Sequence, residues 1–294
     1  MSFQESSVTC PDGRILEVAT FGDPSGDTVF FHHGTPGSIF AASSFEDVVE
    51  ASDLFLVTMS RAGYGRSTRR EGRTVASVVD DVRSVLDELG RDRYVSVGWS
   101  GGGPHALACA ALDAPRCLAA WSLAGVVPID VDFDWTAGMG PENLEEFALS
   151  LSGGPLFDAH MVKAGEAFST ANAANIIELF GGLLPDVDKE ALASEASRES
   201  LAKSCRHGFA NGYFGFYDDD RVFFSAWGFD VADIRVPVAV WYGDEDLMVP
   251  PTHGAWLASN VPDVTVTHKP QEGHISIVTN HLDELATGFK RAFG

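Results

Sequence analysis

Residues 95–111 read VSVGWSGGGPHALACAA. A β-type apolar run, Val95 to Val97, meets four glycines and one serine, then an alanine-rich run. Glycine is the residue that lets a backbone take left-handed or crowded conformations. The stretch therefore predicts a strand, a tight turn and a helix, with Ser100 at the turn. Gly98-Trp99-Ser100-Gly101-Gly102 fits G-x-S-x-G, a pattern that carries meaning when a strand precedes it and a helix follows. In that setting the hydroxyl stands at a helix N-terminus, where developing negative charge is favoured. Ser100 is the candidate nucleophile, and the remaining chain must supply a base, an orienting acid and an oxyanion site.

The base is sought among nine histidines. His274, in QEGHISIV (271–278), falls in a loop between the last expected strand and the last expected helix. A side chain there can reach the rim that carries Ser100. His268 falls within a strand, His105, His253 and His281 within helices, and His160 and His207 in the middle of the chain; these read as packing or surface residues. The acid is sought in GDEDLMVP (243–250), which follows another strand. Asp246 lies far enough into that loop to face the rim, and Asp244 is the second choice. The chain order Ser100, Asp246, His274 is then the nucleophile–acid–base order of one known triad layout. The oxyanion site needs two backbone N–H groups. Gly101 supplies one. In HHGTPGS (32–38) Pro36 has no N–H, so Thr35 is expected to supply the other. His32 and His33 are neighbours in an extended segment and point to opposite faces, so no metal site is expected.

Outward from the serine, the chain alternates. RILEVATF (14–21) closes an expected hairpin spanning Val8 to Phe21 around Pro11-Asp12-Gly13. Residues 28–31, LFLVTM (54–59), residues 94–97, CLAAWSL (117–123), VPVAVWY (236–242) and residues 264–268 read as strands. TVASVVDDVRSVLDEL (74–89) has helical apolar spacing, and helices are also expected near 101–112, near 253–260 and over roughly 275–293. Strands alternating with helices predict a mostly parallel α/β sheet covered on both faces. Between residues 126 and 233 the alternation stops. PENLEEFALSL (141–151) and KEALASEASRESLAKS (189–204) look helical, and GYFGFYDDDRVFFSAWGF (212–229) is rich in aromatics and acids. This predicts a helical insertion, 126–233, in a core of 1–125 and 234–294. Trp99, Phe214 and Trp227, with Phe209, Tyr213 and Phe216, are candidates for an apolar substrate pocket.

The formal net charge of −22 leaves no basic stripe for a phosphate backbone, which excludes nucleic acid as an expected partner. No apolar run approaches the roughly 20 residues of a membrane span, and the start of the chain has no signal-peptide pattern. The cysteines, Cys10, Cys109, Cys117 and Cys205, form no C-x-x-C pair and read as buried hydrophobes in a reducing, cytoplasmic setting; spacing alone leaves a Cys109–Cys117 bridge open. No dinucleotide or phosphate-loop motif is present, so no cofactor is expected.

With these residues in place, the chain resembles the α/β-hydrolase fold family, specifically its cap-bearing serine hydrolases. HHGTPGS is similar to the family's H-G-x-P-G oxyanion loop, and SRAGYGRS (60–67) to its R-x-G-x-G-x-S segment. GWSGGGPHAL, GDEDLMVP and EGH match its elbow, acid and histidine loops. The resemblance implies an eight-stranded-type sheet with an inserted helical cap, and a triad of Ser100, Asp246 and His274. Ser60 departs from the pattern, since relatives often carry aspartate there. Ser100 also departs from epoxide hydrolases and dehalogenases of similar layout, which look for aspartate at that place. The expected activity is hydrolysis of a carboxylic ester of a small molecule through an acyl-enzyme. An aminopeptidase of the proline-iminopeptidase kind is the alternative, with Glu145 and Glu146 as candidates to bind an amine. A ligand-sensing or scaffold protein with little turnover is the other. The sequence does not fix the oligomeric state.

Overall fold

Strands β1 (Gln4–Thr9) and β2 (Ile15–Gly22) form the antiparallel hairpin, turned at Gly13 with its φ of +86°. The coordinates are a computed structural model that describes residues 3–294. Six further strands follow: β3 (Asp27–His32), β4 (Leu54–Met59), β5 (Tyr94–Trp99), β6 (Cys117–Leu123), β7 (Val238–Gly243) and β8 (Val264–Lys269). They make one sheet in the order β1-β2-β4-β3-β5-β6-β7-β8, antiparallel over the first two pairings and parallel from β4 to β8.

The central strands are apolar throughout because helices cover both faces. In β3, Phe30 enters one core while Val29 and Phe31 enter the other. On the first face lie α2 (Val78–Glu88), α3 (Gly103–Leu112) and α10 (Pro251–Asn260). On the second lie α1 (Glu46–Glu50), α11 (Ser276–Thr279) and α12 (Leu282–Arg291). Where the sequence predicts one helix over roughly 275–293, the structure has two. The side chains of Asn280 and His281 turn back to Glu272, and the helix breaks there.

Between β6 and β7 run α4 (Pro141–Ser152), α5 (Gly154–Phe168), α6 (Ile176–Phe180), α7 (Asp186–Ala191), α8 (Glu195–Gly208) and α9 (Phe214–Phe223). The expected helix 189–204 is also split: Ser194 caps α8, its hydroxyl accepting the N–H of Ser197. The inserted helices bury their apolar faces jointly with core loops. Phe157, Met161, Phe209 and Phe216 pack on Tyr64, while Phe180, Leu184 and Cys205 pack with Met248 and Ile275. Truncating a side chain as buried as Phe157 is worth about 3–5 kcal/mol. All four cysteines are buried and free. Among the described residues, no helix is long and apolar enough to cross a membrane.

Candidate active site

Thr35, Ser100, Asp246 and His274 follow the carboxyl ends of four strands, β3, β5, β7 and β8. β5 ends at Trp99, and Ser100 follows with φ +58°, a left-handed backbone that costs a non-glycine residue about 1–3 kcal/mol. The turn is too crowded for side chains on either flank. A Cβ at Gly98 would strike the carbonyl of Gly102, and one at Gly102 would strike the carbonyl of His32. That is the local reason for the glycines.

His274 follows β8, and its Nδ1 lies 2.7 Å from Asp246 Oδ2, with both residues buried. A carboxylate only accepts, so Nδ1 carries the proton and Nε2 of the neutral ring is the free acceptor. Asp246 is itself fixed: Oδ1 accepts the N–H groups of Met248 and Val249, each at 2.8 Å. Asp244, the second choice for the acid, is instead bonded to His268 at an exposed position. Trp99 tilts over the imidazole at 5.5 Å and donates from Nε1 to the His274 carbonyl at 3.0 Å. Burial alone would depress the imidazole, but the charge and hydrogen bond of Asp246 outweigh it, and Asp188 adds to them. His274 is therefore held above its ordinary 6.5.

Gly34, Thr35, Trp99, Ser100 and His274 share the wall of one small cleft. It adjoins a larger cavity of about 250 Å³, whose lining also includes Ser100, Thr35 and Gly101. Thr35 and Gly101 are in contact, since a Cβ at Gly101 would strike the Thr35 side chain. From the insertion this cavity receives Glu142, Glu145 and Glu146 of α4, His160, Lys163 and Phe168 of α5, and Phe216, Asp220 and Phe223 of α9.

Comparison with known proteins assigns the fold family. A family model described as alpha/beta hydrolase fold matches residues 27–281. The chain belongs to the alpha/beta hydrolase family. Epoxide hydrolase B of Mycobacterium tuberculosis is 32% identical over 144 residues, which is 48% of this chain and 38% of that protein. The match thus spans well under half of that relative. A bifunctional esterase/perhydrolase of Acinetobacter calcoaceticus is 28% identical over 255 residues, covering 83% of each chain. Among solved structures, an esterase from Rhodococcus shares the fold with a TM-score of 0.69 at 20% identity, over 99% of each chain.

Two of the expected pocket residues are elsewhere. Phe214 is 40% exposed and stacks under the Arg69 guanidinium, 4.0 Å from its ring. Trp227 is buried in the core beside α2 and α3, against Phe229. Trp227 lies beyond the end of α9, and for Phe214 the reason is helical phase. Phe216, Asp220 and Phe223, at i, i+4 and i+7, share the face of α9 that meets the cavity, and Phe214 lies off that face. Trp99 does line the small cleft.

Two further residues were invisible to sequence reasoning. Asp219 of α9, fully buried, bonds to Arg61, Arg73 and Tyr64 and accepts from Thr35 Oγ1 at 2.6 Å. Arg61 in turn donates to the carbonyls of His33 and Gly34, so α9 and Arg61 together brace the Thr35 loop. Burial opposes the Asp219 charge, but the two guanidiniums hold it well below the usual carboxylate range. The counter-charge thus reaches Arg61 from the insertion. Ser60, the departure from the family's aspartate, donates to Glu17. Asp188 of α7 accepts the N–H groups of His274, Ile275 and Ser276 at 2.9–3.0 Å. No local pattern announces such partners, which lie more than 80 residues away.

The cavity also holds a buried carboxyl group without a partner. Asp220 is fully buried and neither carboxylate oxygen has a hydrogen-bond partner. Burial, with Glu146 and Asp219 nearby, pushes it well above the ordinary range. Burial pushes Glu146 up to about 8. Among the described residues, no group of three or more His, Cys, Asp or Glu is arranged to hold a metal ion.

Proposed function

We propose that this hydrolase is a serine hydrolase that cleaves a carboxylic ester through an acyl-enzyme. The observation that carries the reading is the buried 2.7 Å bond between His274 and Asp246 on the same cleft as Ser100, whose backbone is held at positive φ. Ser100 Oγ attacks the ester carbonyl as His274 Nε2 takes its proton, and the C–O π pair moves onto the oxyanion. The N–H groups of Thr35 and Gly101 receive that oxyanion. His274 then returns the proton to the departing alkoxide, which leaves as the alcohol. A water, deprotonated by the same imidazole, releases the acid and restores Ser100. Asp246 holds the tautomer and the imidazolium. A serine, rather than a carboxylate, at position 100 favours the acyl-enzyme over epoxide opening.

The insertion 126–233 serves as the cap in this reading, and four unbridged buried thiols suit a cytoplasmic setting. Ser100→Ala is expected to lower turnover of a responsive aryl ester about 10⁴–10⁶-fold. Near wild-type turnover by the purified variant would remove Ser100 from the role. Stoichiometric labelling of Ser100 by a fluorophosphonate, with no turnover across an ester panel, would favour the ligand-sensing alternative.

One observation favours a second reading for the substrate. A buried carboxylate with no partner lacks a cation or donor that an incoming group could supply. Asp220 is such a group, with Glu146 lining the same cavity. A substrate carrying an ammonium would satisfy them, as the aminopeptidase alternative requires. Comparing aryl esters and prolyl amides with and without a free amine tests it. A Glu146→Gln chain that keeps its amine preference would exclude the reading.

A further inference from the structure

The carboxylate of Asp188 comes from the insertion, yet its side-chain hydrogen bonds go to the loop that carries His274. Oδ2 accepts the His274 N–H at 2.9 Å, and Oδ1 accepts those of Ile275 and Ser276 at 3.0 and 2.9 Å. The side chain is fully buried. The approach depends on Gly273, where a Cβ would lie 2.6 Å from Asp188 Oδ1. A backbone carbonyl could satisfy one of these N–H groups. A carboxylate satisfies three; burial and Asp246 push Asp188 above its ordinary range, while the N–H groups of Ser276 and Ile275 and the imidazole of His274 favour its charged form. Among the described residues, the charged groups acting on His274 are Asp246, from the loop after β7, and Asp188, from α7.

We propose that Asp188 is a positioning residue for the acyl transfer: it fixes the backbone of the His274 loop and adds a second negative charge beside the imidazole, tying the general base to the inserted helices. This rests on the serine-hydrolase reading above. The two carboxylates have different tasks. Asp246 grips Nδ1 and sets the tautomer. Asp188 touches no ring atom and acts through the main chain and through its field. The imidazolium formed during attack is stabilised by both, while the neutral ring gains from Asp188 only in placement. A displacement of the ring by a fraction of an ångström is enough to slow attack, because the reacting atoms must meet in a narrow geometry.

The test uses the full chain and a fluorophosphonate probe, so it does not depend on knowing the substrate. The rate of Ser100 labelling is followed against pH. In wild-type protein the rate rises as His274 loses its proton. In Asp188→Asn, which keeps an acceptor and loses the charge, the rising limb is expected to move to lower pH by about 0.5–1 unit. The plateau is expected to fall about tenfold. Asp188→Glu restores the charge and is expected to bring the limb back. A purely structural Asp188 predicts a lower plateau with the limb unmoved, and that result overturns the proposal; so does a limb and plateau both like wild type. If Asp188→Asn does not fold, Asp188→Ser, a short uncharged acceptor, carries the same comparison. Wild-type protein that takes no probe at Ser100 would instead remove the hydrolase reading, and the role of Asp188 with it. The two failures are therefore distinct.

Discussion

Asp219 and Asp220 are neighbours on α9, both fully buried, and they live in opposite electrostatic worlds. Asp219 has two arginines, a tyrosine and a threonine around it and is held well below the ordinary carboxylate range. Asp220 has no hydrogen-bond partner and is pushed well above that range. One step along a helix turns a side chain by about 100°. Here that step separates a side chain built into the scaffold from one that faces the cavity. A buried carboxylate inside a network belongs to the fold, and one left open at a cavity is a candidate for binding.

The same contrast holds between the two acids of the loop after β7. Asp246 is buried and grips His274, while Asp244 is exposed and pairs with His268. The largest effect is expected at the first. Asp246→Asn should cost about 10⁴ in kcat through loss of the imidazole's tautomer and charge partner. Equal loss from Asp244→Asn, measured on the same ester, would show that Asp246 is not the acid that serves His274.

Next comes Asp219→Ala, which strands the buried cations of Arg61 and Arg73. It should destabilise the fold by about 3–5 kcal/mol, read by chemical denaturation. A loss below about 1 kcal/mol would mean that the network is not needed by the scaffold.

A smaller effect concerns Glu146. Its folded value, about 8, stands above its ordinary 4.5. The native state then holds a proton that the unfolded chain gives up, so stability is full below 4.5 and declines as pH rises toward 8. Thermal unfolding followed across that window should flatten in Glu146→Gln. An unchanged slope would show that Glu146 ionises normally in the folded protein. Least of all should come from Asp244→Asn, an exposed pair worth less than about 1 kcal/mol.

Much of this was legible in the chain, for physical reasons. The turn at Ser100 needs glycines that only a crowded backbone requires, and they stand next to it in sequence. The central strands β3, β4 and β5 announce themselves because buried parallel strands must be apolar on both faces, while the edge strands β1 and β8 are largely exposed. The pocket was less legible: an aromatic cluster such as GYFGFYDDDRVFFSAWGF does not say where its helix begins. Of its aromatics, Phe216 and Phe223 line the cavity, while Phe214 meets Arg69 and Trp227 packs in the core. Asp188 and Asp219 could not be read at all, because their partners lie on other elements. Only folding brings α7 to the His274 loop and α9 to Arg61.

Whether Ser100 and His274 act as one unit is read by mapping a fluorophosphonate adduct by mass spectrometry. A single adduct on the peptide containing Ser100 is predicted, absent in Ser100→Ala and formed far more slowly in His274→Ala. Adduct on another residue, or labelling of Ser100 at the wild-type rate without His274, would contradict it.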